Sequence, residues 1–271
     1  MTEENATPTP PTPFRAPTTR RAVVVGGAAL AATGAFAAAG LSSSAHGTAG
    51  DGPVETADTV GVAAAAVCSL NARVTEGPYS LEGALVRVDN REDKAGVEVR
   101  YKLTVVDTAK GCAPLAGALV EIWHCDSLGE YSGFVGNNGH PGADNGTFLR
   151  GGQLTGSNGV VNLVSIWPGH YRGRAVHTHL RVHTDVTLTG DTYTGGEIVH
   201  TGQLFYDPAI NATIQASSPY KANTTRETHL DDDSIYDGAG ATSGLLTLTP
   251  LGSTPSAGYT ATLTMGVDST A

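Results

Sequence analysis

His177 and His179 are separated by one residue in a stretch, Val176-His-Thr-His-Leu-Arg-Val182, whose apolar spacing suits a strand. Side chains alternate across a strand with period two, so both imidazoles point to one face. Tyr171 lies six residues upstream behind Trp167-Pro-Gly-His, and a second phenol, Tyr131, closes the run Trp123-His-Cys-Asp-Ser-Leu-Gly-Glu-Tyr131. Two imidazoles and two phenols form an unusual donor set. Phenolate is a hard anion, and paired with imidazole it suits a ferric ion better than zinc or calcium. A zinc hydrolase is the competing reading, but no glutamate stands beside the histidines to act as base. His124, next to Cys125, is a weaker candidate; His46, His140, His183, His200 and His229 read as ordinary surface or core residues.

The elements that must carry these residues read as strands. Val97–Val106 alternates, with Val97, Val99, Tyr101, Leu103 and Val105 on one face. Further strands are expected at 84–88, 118–124, 159–166, 176–188, 198–206, 244–250 and 258–266, separated by turns rich in Gly, Pro, Asn and Asp. No long amphipathic helical period occurs, so the expected fold is an all-β sandwich with long loops and few or no helices. The segment 207–243 reads as irregular surface loops. Within it Asp231-Asp-Asp233 lacks the ligand spacing of a calcium loop and reads as a solvated acidic turn.

The chain has 271 residues and a formal net charge of −10, which excludes a nucleic-acid partner and an anionic membrane surface. Residues 1–45 carry Thr19-Arg20-Arg21, an Ala/Gly-rich apolar run and Ser43-Ser44-Ala45, and are expected to be a twin-arginine export signal rather than a membrane anchor. Residues 46–67 read as a flexible linker and 68–271 as one catalytic domain, giving a secreted protein with no membrane contact after processing. An exported protein can hold disulfides. With 97–106 and 118–124 taken as paired, Cys112 in the turn and Cys125 at the far strand end are too far apart to bridge. Cys68–Cys112 is then the favoured pair and Cys125 a buried thiol.

Five motifs in order carry a resemblance to a known family: Glu76-Gly-Pro78-Tyr79; Trp123-His-Cys-Asp with Gly129-Glu-Tyr131-Ser132; Pro168-Gly-His-Tyr171; Arg174-Ala-Val-His177-Thr-His179; and Thr201-Gly-Gln203-Leu-Phe-Tyr206. They resemble the intradiol ring-cleavage dioxygenases, which act on catechol, hydroxyquinol or protocatechuate. The resemblance covers most of 68–206. It implies a β-sandwich holding a mononuclear non-haem Fe(3+) on Tyr131, Tyr171, His177 and His179, with a small aromatic diol and O2 as substrates and a cis,cis-muconate as product. It assigns Arg174 and Gln203 beside the substrate, has Tyr171 leave the metal when the diol binds, and places Pro78 and Tyr79 on the pocket wall. Two departures stand out. The stretch Leu188–Gly196 looks like an inserted hairpin that lengthens the path from His179 to Gln203, and no helical N-terminal dimerisation segment is present. A non-catalytic metal-binding sandwich and a hydrolytic metalloprotein remain the alternatives. Arg150 and Arg172 are candidates to meet a carboxylate on the ring.

Overall fold

The computed structural model describes residues 69–136 and 144–271. The expected export signal, the linker, Cys68, His46 and His140 lie outside these residues. In chain order the elements are β1 (Glu98–Asp107), β2 (Ala113–Pro114), β3 (Leu119–Trp123), β4 (Arg150–Leu154), β5 (Val160–Ile166), β6 (His177–Thr189), β7 (Thr192–Phe205), α1 (Pro208–Gln215), β8 (Thr247–Pro250) and β9 (Tyr259–Val267), with short 3-10 turns between some of them.

The alternation in β1 buries Val99, Tyr101, Leu103 and Val105 and leaves Arg100 and Lys102 exposed. Each such apolar side chain contributes roughly 2 kcal/mol on leaving water, so one face of β1 must be covered. β1 is the centre of the first sheet. β9 runs parallel along one edge and carries β8; β5 and the short β2 pair antiparallel along the other. The second sheet is antiparallel in the order β4-β3-β6-β7. Val120, Ile122, Leu180, Val182 and Leu204 from this sheet, with Tyr206 just past β7, meet the β1 face in a single core. Between the sheets, Thr178 Oγ1 bonds the hydroxyls of Tyr101 (2.9 Å) and Tyr206 (2.7 Å). The result is the expected all-β sandwich.

Three local expectations are corrected. Segments 97–106 and 118–124 belong to different sheets: the turn at Cys112 joins β1 to the short β2 beside it, and the chain crosses the sandwich only after Pro114. Residues 84–88 make isolated bridges, Val86 to Gly152 and, just beyond, Asp89 to Val164, and lie across strand edges without forming a ladder. The irregular stretch after 206 contains α1, whose start is written locally: Asp207 caps the amides of Ala209 and Ile210, and Pro208 takes the first turn. Its eight residues were too few to show a helical period. Cys112 is disulfide-bonded and Cys125 is a buried free thiol, while the expected partner Cys68 falls outside the described residues. Among the described residues no helix is long and apolar enough to cross a membrane.

Candidate metal centre

β6 is buried on both faces over its first seven residues. Thr178, Leu180 and Val182 point into the core. His177, His179, Arg181 and His183 therefore form a polar stripe on the other face. In the ladder, His179 stands opposite Trp123 of β3 and opposite Gln203 of β7. The long interval from His179 to Gln203 is thus the β6–β7 hairpin itself. Leu188–Gly196 is its far end, and the register returns Gln203 to His179's side. The segment after Asn71 crosses this face: the Val74 amide bonds Thr201 O, and Gln203 Nε2 donates to Thr75 O at 3.0 Å.

The two tyrosines arrive on loops. Asp126 organises the first, its Oδ1 accepting the amides of Leu128 and Glu130 while Lys94 pairs with Oδ2. Buried Arg150 holds Ser132 through both Oγ and the backbone carbonyl, each at 2.8 Å, and so fixes the residue next to Tyr131. The second loop, Trp167–Tyr171, is anchored by α1: Trp167 Nε1 donates to Asn211 Oδ1, Gln215 Nε2 to Pro168 O, and His170 Nδ1 pairs with Gln215 Oε1. The loops meet backbone to backbone. A Cβ on Gly169 would lie 2.4 Å from Asp126 O, and one on Gly129, at φ +90°, would lie 2.5 Å from His170 O. Only glycine allows that approach.

Four donors converge as a consequence. His177 Nε2 and His179 Nε2 are 3.0 Å apart; Tyr131 Oη is 3.1 Å from His179 Nε2, and Tyr171 Oη is 3.1 Å from His177 Nε2. Atoms held about 2 Å from a single metal ion have roughly this mutual spacing. His177 Nδ1 has a carbonyl partner, Ala175 O at 2.6 Å, so that nitrogen carries the proton and Nε2 turns its lone pair into the cluster. His179 is wholly buried, stacks on Trp123 at 5.0 Å, and has no partner for Nδ1. Burial, with nearby Arg174, pulls His177 down to about 3, and burial and His177 hold His179 well below the usual imidazole range. Both rings are neutral donors at physiological pH. Burial drives the Tyr131 and Tyr171 phenols upward, so a bound cation is what would make them anionic. The donor chemistry fits a hard trivalent ion. Among the described residues no group of three or more His, Cys, Asp or Glu gathers that could hold a metal ion.

Arg174 and Gln203 reach the cluster together. Arg174 Nη2 donates to Gln203 Oε1 at 2.6 Å, and Nη1 lies 3.5 Å from His177 Nε2. Their anchor is Asp233, a residue the sequence reading left in a solvated turn. It is 1% exposed, pairs with Arg174 Nε at 2.9 Å and accepts the Ala175 amide at 2.7 Å. Its Oδ1 also takes the amides of Ile235 and Tyr236. A local signal existed: an aspartate two and three residues before amides it can cap, at the end of an acidic run.

Tyr79 stacks on Tyr131 at 4.3 Å and meets Tyr171 edge-on. With both phenols it lines a cleft of about 430 Å³. Pro78 is exposed in the turn before it. His124 is brought to a structural place: Nε2 bonds Ser165 Oγ at 2.7 Å and Nδ1 bonds Cys125 O. Arg150 is committed to Ser132, which removes it as a partner for a ring carboxylate.

Comparison with known proteins agrees with this architecture. A family model described as a dioxygenase (Dioxygenase_C) matches residues 75–186. A solved intradiol ring-cleavage dioxygenase from Tetranychus urticae is 31% identical, with a TM-score of 0.65, over 74% of this chain and 95% of that one. Catechol 1,2-dioxygenase 1 of Acinetobacter lwoffii is 30% identical over 42% of this chain and 42% of its own. A catechol 1,2-dioxygenase of a Pseudomonas strain is 32% identical over 45% of this chain and 48% of its own. The chain spans about half the length of the curated relatives it matches.

Proposed function

Because the chain belongs to the intradiol ring-cleavage dioxygenase family, we propose that Tyr131, Tyr171, His177 and His179 hold one non-haem Fe(3+) and that the protein opens catechol-type rings with O2 between the two hydroxyls, giving cis,cis-muconates. The observation that carries this reading is the convergence of two phenol oxygens and two imidazole Nε2 atoms at about 3 Å spacing. When bound, ferric iron supplies Lewis acidity that lowers the phenol and diol pKa values and draws electron density from the ring. The chain's own residues do the rest. Tyr171 is the more exposed phenol and faces the cleft, so its oxygen can turn from the cluster and accept a proton from an entering diol. Tyr131, 2% exposed and stacked under Tyr79, stays in place. Arg174 presents a fixed cation beside the ring, where negative charge develops, and Gln203 orients it. Tyr79, stacked on Tyr131, forms a wall of the cleft the ring would enter.

The test is colour and stoichiometry. Protein loaded with ferric iron should be wine-red from tyrosinate-to-iron absorption, hold one iron per chain and release muconate from catechol. A colourless, iron-free preparation under those conditions overturns the proposal.

We also propose that residues 1–45 direct twin-arginine export. The supporting feature is Arg20-Arg21 ahead of the apolar run. Expression in a bacterium with this pathway should yield secreted protein shortened by about 45 residues, and Arg20→Lys with Arg21→Lys should retain it inside. Secretion that ignores the double substitution overturns it.

A further inference from the structure

The cleft at the cluster does not end at a single ring. It is lined by Tyr79, Tyr131, Phe134 and Tyr171 on one side and also by Arg172 and Thr225. Arg172 and Thr225 in turn line a second chamber of about 700 Å³, which Arg226 enters as well. About 150 Å³ is enough to enclose a benzene ring. The two chambers, sharing a wall, far exceed what a simple catechol fills.

The shared wall is built, not incidental. His170 Nε2 pairs with Thr225 O at 2.8 Å, and Asn223 Nδ2 donates to His170 O at 2.7 Å, tying the outer loop to the motif that delivers Tyr171. The charges on this wall are informative. The domain's other site arginines are spoken for: Arg150 by Ser132, Arg174 by Asp233 and Arg181 by Glu76. Arg172 and Arg226 have neither a hydrogen bond nor an ion pair among the described residues, and both are exposed to the cavity. Of the nearby carboxylates, Glu227 is engaged by Asn211 and Glu130 by the Gly136 amide. Asp232 is the one lining the outer chamber without a side-chain partner. A guanidinium left open in a cleft suits a carboxylate, which it can bind with paired donors.

We infer that the preferred substrate is a catechol bearing a flexible side chain that ends in a carboxylate, with the ring at the tyrosine–histidine cluster, the tail running into the outer chamber, and Arg172, assisted by Arg226, as the specificity-determining residue. The inference rests on the ring-opening function proposed above.

The test compares 3-(3,4-dihydroxyphenyl)propionate with its methyl ester and with catechol, by kcat/KM in the iron-loaded protein and by calorimetric Kd without O2. The acid should be favoured over the ester by about fivefold, the range expected for a partly exposed ion pair. Arg172→Gln with Arg226→Gln should bring that ratio close to one, and raised salt should shrink it in the native protein. Equal values for acid and ester, or a preference that survives the double substitution, overturn the assignment. Binding of the acid with the expected ratio but no ring opening of any diol upholds the tail site and instead overturns the proposed function. Failure of every diol to bind overturns both.

Discussion

In a Tyr131→Phe protein, muconate formation and the visible absorption band are both expected to vanish. The phenol oxygen is one of four converging donors, and its hydroxyl lies 3.1 Å from His179 Nε2. The substitution removes one oxygen while keeping the ring that stacks on Tyr79 at 4.3 Å, so packing is preserved and the loss is chemical. Loss of a group that merely orients a metal ligand costs about 10–100-fold. Loss of the ligand itself should exceed that, with bound iron falling well below one per chain. His179→Ala should do the same, for the ring is fully buried between Trp123 and the cluster. The two variants separate chemistry from folding. Tyr131→Phe should keep the native unfolding temperature of the iron-free protein, whereas His179→Ala opens a cavity and should lower it. Unchanged turnover or unchanged colour in either variant refutes the ligand assignment.

The second large effect is expected at Asp233, which touches neither the donors nor the cleft. Its carboxylate holds Arg174 through Nε and Nη2 and caps the amide of Ala175. In Asp233→Ala the guanidinium loses its anchor, and displacement of a positioned group by about 1 Å can cost roughly 100-fold. The loss should appear mainly in kcat, with iron content and colour retained, because the four donors are untouched. In an Arg174→Ala background the same substitution should add little, which a merely structural role would not produce. Stability should also fall, by roughly 3 kcal/mol, as expected when one partner of a buried pair is removed. The pH dependence has a definite sign. Burial alone would raise the Asp233 carboxyl, but the hydrogen bonds from Arg174 and from the Tyr236 and Ala175 amides outweigh it and hold the group below its ordinary value. Its stabilisation is present above the unfolded-state value of about 3.9 and is lost as pH falls through the lower folded-state value. Unfolding curves of the native protein and Asp233→Asn should therefore differ at neutral pH and converge in acid. Parallel curves down to the acid limb would exclude this role.

These two residues mark how far sequence reading reaches. Tyr131 stands inside a contiguous motif, and its type alone announces a hard anionic donor. Asp233 is the third of three aspartates, and its spacing to the Ile235 and Tyr236 amides marks a local cap but not a burial that its exposed neighbours lack. It becomes a buried anchor because the loop after α1 folds back 58 residues onto Ala175. Arg150 shows the same limit. A cation was legible, but its commitment to Ser132 depends on β4 lying beside β3. The helix α1 was missed for a different reason. Its capping signal is present, but eight residues do not display a period, and its role is to exchange hydrogen bonds with the Trp167–Tyr171 loop, accepting from Trp167 and donating to Pro168 O.

What the sequence by itself determined are the properties fixed by neighbouring residues. The two-residue period puts His177 and His179 on one face, apolar alternation makes β1 half of a core, and the types His and Tyr define a donor set suited to ferric iron. Only the tertiary structure decided which distant groups share that face. Gln203 stands across from His179 because the β6–β7 hairpin sets the register, and the two tyrosines meet because Gly129 and Gly169 let two backbones touch. Alternation is a local consequence of backbone stereochemistry. Register, loop apposition and the burial of a single carboxylate depend on how the whole chain closes on its core, and no window of sequence contains that information.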